Sequence, residues 1–116
     1  MKIAPVVHLE LHTGDHRSAA GFLSALLGWR INQVGPYTAM ALGERVGGGI
    51  VECGIQPAQW VPYAVVADVA AATERAGRLG ASVLLSPREG PHGWRSVVSR
   101  PECGAIALWE LKTGCR

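Results

Sequence analysis

Charge is scarce in this chain and nowhere does it bunch. Asp, Glu, Lys and Arg make up only 17% of the 116 residues and net to +2. No Lys/Arg run and no aromatic stripe among basic residues is present, so the electrostatic footprint of a nucleic-acid binder is missing. No apolar run approaches the roughly 18 residues that a membrane-spanning helix needs. The start, Met1-Lys2-Ile3-Ala4-Pro5, lacks the apolar stretch and small-residue cleavage site of a secretory signal. Cys53, Cys103 and Cys115 are odd in number and show no C-x-x-C spacing, which argues against a disulfide framework and against a zinc knot. These absences predict a cytoplasmic protein with neither nucleic-acid nor membrane partners. Also missing are a nucleophile elbow around Ser or Cys and a dinucleotide-binding fingerprint. Gly47-Gly48-Gly49 lacks the Lys-Ser/Thr ending and following helix of a phosphate loop, and reads as a bend or close strand approach.

What is present is a hydrophobic fraction of 48%, enough for a folded core, arranged as one plan written twice. In the first copy the strand pattern Val7–His12 runs into Asp15, then a helix carrying Ala19, Ala20, Phe22, Leu23, Leu26 and Leu27 at helical spacing, with Gly28 as its left-handed stop. In the second, Tyr63–Ala67 runs into Asp68, then an Ala-rich helix with Val69, Ala72, Ala76 and Leu79 on one side, ending at Gly80. Three short β-rich runs follow each helix: Trp29–Val34, Tyr37–Leu42 and Gly47–Cys53, then Ala81–Leu85, Arg95–Ser99 and Ala105–Leu111. Ile55–Gln59 reads as the linker, and Ser86–Gly93 as an irregular overhang. The expected fold class is α+β: two βαβββ modules, residues 1–56 and 57–116 of a single domain, forming curved mixed sheets around a cup with one helix backing each.

Alternate residues of a strand face opposite sides. Val7, Leu9 and Leu11 are expected under the helix, which turns His8, Glu10 and His12 toward the concave side. The same reading groups Gly48, Ile50 and Glu52, then Ile106, Leu108 and Glu110, then Val61, Tyr63 and Val65, on that concave face. His8, Glu52 and Glu110 carry imidazole and carboxylate chemistry suited to a divalent metal. The same residues also suit solvated positions at strand mouths, and both readings stand. Glu10, whose carboxyl an apolar wall would make more basic, and His12 are the candidate acid/base groups. Trp60 and Tyr63 are the expected aromatic contacts for a planar ligand, whereas Trp109 is assigned to the helix side. His92 and Trp94, in or beside the overhang, are placed to meet a ligand if that loop closes.

Several stretches resemble the vicinal oxygen chelate superfamily, the group of glyoxalase I, bleomycin-resistance proteins and extradiol dioxygenases. They are Val7-His8-Leu9-Glu10-Leu11-His12-Thr13-Gly14-Asp15, Leu26-Leu27-Gly28-Trp29, Trp60 to Val69, Arg78-Leu79-Gly80-Ala81, and Pro101 to Glu110. The resemblance spans nearly the whole chain and is closest to the small glyoxalase-like branch. It implies a cavity between paired modules and a homodimer. Metal-dependent members hold their ion with one residue from the first strand and one from the last strand of each copy. The step from His8 to Asp15, taken back from Asp68, lands on Val61, so the mapped set is His8, Glu52, Val61 and Glu110. Valine cannot ligate. The expectation is therefore a small-molecule binder that sequesters an aromatic or amphipathic natural product, such as an antibiotic, without a metal or other cofactor. His8, Glu10, Glu52, Trp60, Tyr63, His92, Trp94 and Glu110 are its candidate contacts. The alternative is a metal-dependent lyase, isomerase or dioxygenase using His8, Glu52 and Glu110.

Overall fold

Both copies form, and with the same wiring. The computed structural model describes residues 3–34, 37–54, 57–90 and 92–112. Ile55 and Gln56 of the expected linker, Pro91 of the expected overhang and Cys115 lie outside the described residues. The elements run β1 (Val6–Thr13), α1 (His16–Leu27), β2 (Arg30–Val34), β3 (Tyr37–Ala41), β4 (Gly47–Glu52), β5 (Gln59–Val65), α2 (Val69–Arg78), β6 (Ser82–Glu89), β7 (Gly93–Arg100) and β8 (Gly104–Leu111). In the first module β1 lies parallel to β4, and β4, β3 and β2 follow antiparallel. In the second, β5 lies parallel to β8, and β8, β7 and β6 follow antiparallel. The fold is α+β, with a helix after the first strand of each mixed sheet. By its contacts the chain divides into Val7–Val61 and a second unit of Pro62–Arg116 with Met1–Val6. The boundary between these units falls inside β5, and the Val65 N–H donates to Pro5 O at 2.9 Å.

Each helix starts and stops where its sequence signals stand. Asp15 Oδ1 accepts from Ser18 N at 3.1 Å, and Asp68 Oδ1 from Ala71 N at 3.0 Å. Each bond satisfies an orphan donor of a first turn. Gly28 closes α1 at φ 69°, and Gly80 follows the C-cap Leu79 of α2 at φ 93°. These are left-handed positions that favour glycine.

The core of the first module joins Leu11, Leu23, Met40 and Ile50, with Ala19, Ala20, Trp29, Ile31 and Leu42 packed against them. Leu23 is the buried residue of α1; Phe22, Leu26 and Leu27, expected in its apolar stripe, are exposed. In the second module Tyr63, Val69, Val98 and Ala107 are buried, and with them a polar pair. Thr73 of α2 donates to Val69 O, so the buried Ser96 hydroxyl must be the donor of the 2.7 Å bond between Ser96 Oγ and Thr73 Oγ1.

The Ser86–Gly93 overhang is mostly strand. β6 continues to Glu89 and β7 begins at Gly93, with the Gly90 N–H donating to Gly93 O at 2.7 Å across the turn. Pro87 and Gly90 look like loop residues in sequence. Register shifts between Val83 and Leu85 and between Leu85 and Arg88 admit the proline, and β6 pairs only with β7 in its sheet, where a missing N–H is tolerated.

Candidate functional site

The helix-free face of the first module follows from its register. Leu11 pairs with Ile50 and Met40 with Gly48, and Leu11, Met40 and Ile50 all belong to the core around Leu23 of α1. Residues of the other parity therefore share the opposite face: His8 beside Gly47, Glu10 beside Gly49, His12 beside Val51, and on β3 Ala41 and Ala39. Four positions in that patch carry no side chain beyond a methyl group: Gly47 and Ala41 are exposed, Ala39 is half-buried and Gly49 is buried. A Cβ added at Gly47 would already lie 3.3 Å from His8 Nδ1.

Over this small-residue floor stand His8, Glu10 and His12, the polar row that strand parity predicts. Glu10 Oε1 lies 2.8 Å from His12 Nε2 and Oε2 lies 3.6 Å from His8 Nε2. Glu10 is only 7% exposed, buried despite its charge. A buried carboxylate is stable only with partners, and each of its oxygens faces an imidazole. The row can hold a cationic or hydrogen-bonding ligand group, or pass a proton between carboxylate and imidazole.

The other two carboxylates of the expected set do something else. Glu52 Oε1 accepts from His16 N at 3.2 Å and lies 2.9 Å from His16 Nδ1, at the start of α1. Those bonds, the side-chain one foremost, hold its carboxyl below the ordinary value. Glu110 Oε1 accepts from Val69 N at 2.9 Å, at the start of α2. Both sit on the helix side, because Ile50 and Leu108, two positions earlier on their strands, share that parity. Leu108 pairs with Ser96, which binds Thr73 of α2. The expected concave placement of Ile50, Glu52, Ile106, Leu108 and Glu110 is thus reversed. Along β4 the neighbour of His8 is Gly47, whereas Glu52 stands beside Thr13, about 16 Å further along the strands. His8 and Glu52 cannot share an ion. Val61 is fully buried and apolar, and among the described residues no group of three or more His, Cys, Asp or Glu side chains is disposed to hold a metal. The donor set that the resemblance maps does not fit a metal ion.

Of the aromatic candidates, Tyr63 lies on the helix-free face of the second module. Trp109 shares that face, contrary to its expected place under the helix: Val65 pairs with Trp109 and Tyr63 with Ala107. The two rings meet edge to face, centroids 5.9 Å apart at 85°. Trp60 instead meets Trp29, centroids 6.2 Å apart at 87°, and Trp29 packs on the α1 core. Trp94 pairs with Glu110 on the helix side, with Lys112 Nζ 5.5 Å from its ring centroid. His92 is exposed at the β6–β7 turn, its carbonyl accepting from Lys112 N at 3.1 Å.

Sequence reasoning missed the floor of Ala39, Ala41, Gly47 and Gly49, and the place of Trp109. The one signal in the sequence was that Glu52 and Glu110 stand at or next to the end of the last strand of their copy; that this end lies beside a helix start comes from the register.

No protein-family model matches the sequence, and no curated protein does. Solved structures do. A methylmalonyl-CoA epimerase from Streptomyces coelicolor superposes with a TM-score of 0.67 at 13% identity, covering 97% of this chain and 100% of that one. The epimerase from Mycobacterium tuberculosis gives 0.65 at 13%, over 95% and 89%. A glyoxalase/bleomycin resistance protein/dioxygenase superfamily member from Vibrio splendidus gives 0.65 at 17%, over 92% and 98%. The fold is the vicinal oxygen chelate fold. Two βαβββ modules are its pattern, and at these identities the likeness is one of fold, which carries many functions.

Proposed function

We propose that this vicinal oxygen chelate protein binds a small aromatic or amphipathic natural product at the helix-free face of its first module, and sequesters it without metal chemistry. The carrying observation is the buried Glu10, bracketed by His8 and His12 above a floor of Gly47, Gly49, Ala39 and Ala41. The exposed Gly47 and Ala41 leave room for a flat molecule against the sheet, and the carboxylate supplies a desolvated anion to meet a cationic group. Sequestration needs tight binding and no turnover. In that role the protein acts in the cytoplasm as an antibiotic-resistance factor and as a homodimer, an assembly supported by the exposed Phe22, Leu26 and Leu27 of α1. The test is a calorimetric screen of planar cationic antibiotics with recovery of the ligand afterwards. Saturable binding of an unchanged ligand, weakened at least about tenfold in Glu10→Gln, a loss of about 1.4 kcal/mol, is the expected result. Ligand consumption would sink this reading.

A second reading rests on the same row. Glu10 with an imidazole on each oxygen is a general acid/base arrangement, and two of the fold neighbours are named as epimerases of methylmalonyl-CoA. Proton exchange at an activated carbon needs a base and a route for the proton, which Glu10 and His12 can provide. Incubating methylmalonyl-CoA with the protein in deuterium oxide separates the two readings: deuterium at the substrate carbon, lost in Glu10→Gln, selects the enzyme. The metal-dependent alternative would require Glu52 and Glu110 to leave the helix starts that they now bind.

A further inference from the structure

The second module carries a transverse row whose chemistry is the opposite of the first. On its helix-free face Arg88 of β6 pairs with Arg95 of β7, Arg95 pairs with Trp109 of β8, and Trp109 pairs with Val65 of β5. Directly paired residues project to the same side of a sheet, with Cα atoms about 4.5–5.5 Å apart in antiparallel strands. Two exposed arginines on neighbouring strands thus project to the side of the sheet that also carries Trp109.

Like charges in directly opposed positions destabilise a sheet, so the pair calls for a counter-charge. The second module does not provide one. Asp68 caps α2 through Ala71 N, Glu110 binds Val69 N, Glu74 pairs with Arg78, Glu89 with Lys112, and Glu102 with Arg100. Those are all the acidic residues from 57 to 116, and every one is engaged elsewhere. Among the described residues Arg88 and Arg95 have no ion-pair partner.

The indole beside them is held in place. Tyr63 meets Trp109 edge to face. On another side Trp109 Nε1 lies 2.7 Å from where a Cβ on Gly93 would stand, so glycine makes the room that the ring occupies. A fixed aromatic surface next to paired, planar donor forks matches a ligand with a flat apolar body and a carboxylate head.

We propose that Arg88, Arg95 and Trp109 form a binding site for an aromatic carboxylate, distinct from the His8–Glu10–His12 row. The two guanidinium groups hold the carboxylate between them, and the aromatic body lies against Trp109. Binding relieves the arginine pair, so it stabilises the folded chain.

The probe is 2-naphthoate, with the neutral 2-naphthamide as its isostere, read by thermal unfolding and by the indole N–H signal of Trp109 in ¹⁵N-labelled protein. Naphthoate is expected to raise Tm and shift that signal saturably, with an effect that weakens as salt rises; naphthamide leaves both unchanged. Arg95→Gln and Arg88→Gln should each weaken naphthoate binding at least about fivefold. Each should also raise the Tm of the unliganded protein, since each removes one of two repelling charges, and that readout needs no ligand. Glu10→Gln should leave naphthoate binding intact, so failure of the first-module site and failure of this one are separable. Equal binding of acid and amide, naphthoate binding unchanged in both arginine variants, or no response to millimolar naphthoate would overturn the proposal.

Discussion

The two modules share one scaffold and differ on the face that the scaffold leaves uncovered. In each, an Asp at the strand–helix junction and a Glu at the end of the last strand bind the first turn of the helix: Asp15 and Glu52 in one, Asp68 and Glu110 in the other. In each, the first strand lies parallel to the last. The opposite face is another matter. Glu10 stands beside Gly49 where Tyr63 stands beside Ala107, and His12 beside Val51 where Val65 stands beside Trp109. Positions tied to the helix repeat their chemistry, whereas positions free of that duty carry acid and imidazole in one module, arginine and aromatic rings in the other. Function should therefore be sought where the copies disagree.

Substitutions at matched positions test that division. The largest effect is expected at Gly93, where a Cβ would run into the Glu110 carbonyl as well as Trp109. Gly93→Ala should cost about 1–3 kcal/mol, as overpacking does, measured by urea unfolding. Gly47→Ala, in the first module, meets only the His8 ring at 3.3 Å and the Val7 carbonyl at 3.9 Å. It should disturb ligand binding more than stability, and equal stability losses from the two would erase the contrast.

Next comes the pair of strand-end glutamates. Glu110→Ala strands the N–H of Val69, a residue 3% exposed, and should cost about 1–3 kcal/mol. Glu52→Ala uncovers a donor that water can reach and should cost clearly less in the same assay. A reversed order would mean that burial does not set the value of this cap.

The smallest effect is on acid titration. Hydrogen bonds from Ser18 lower the Asp15 carboxyl, and those from His16 lower Glu52. Because both folded values lie below the unfolded ones, the stabilisation is complete above the ordinary carboxylate range and is lost as pH falls through it toward the folded values. Unfolding midpoints of the wild type should fall from about pH 5 downward, with a shallower slope in Glu52→Gln. A slope unchanged by that substitution would remove Glu52 from the account.

Much of this was legible in the chain. Asp15, Gly28, Asp68 and Gly80 mark the helix ends because caps and left-handed stops need particular residue types, and the repeat followed from them. The His8–Glu10–His12 row was legible from β1, where Leu11 fixes which parity faces the helix. The parity of β4 and β8 was not. Gly48-Gly49-Ile50 alternates weakly, and a Glu closing each run looks the same whether it meets a ligand or a helix start. Only the register, Thr13 beside Glu52, shows that the strand ends just where α1 begins. Arg88 and Arg95 could not be paired in advance, because the bulges of β6 displace its register from a simple count.

The strand-end glutamates also bear on how each module assembles. Glu52 reaches a donor 36 residues back along the chain, and Glu110 one 41 residues back. The first turn of each helix is thus finished only after the module's last strand has docked, so local sequence can start the helix but cannot complete it. Each module is a loop of chain closed by a latch at its far end, and fraying of the last strand loosens the helix at once. Folding by such a route favours all-or-none closure within a module over the survival of a half-built one.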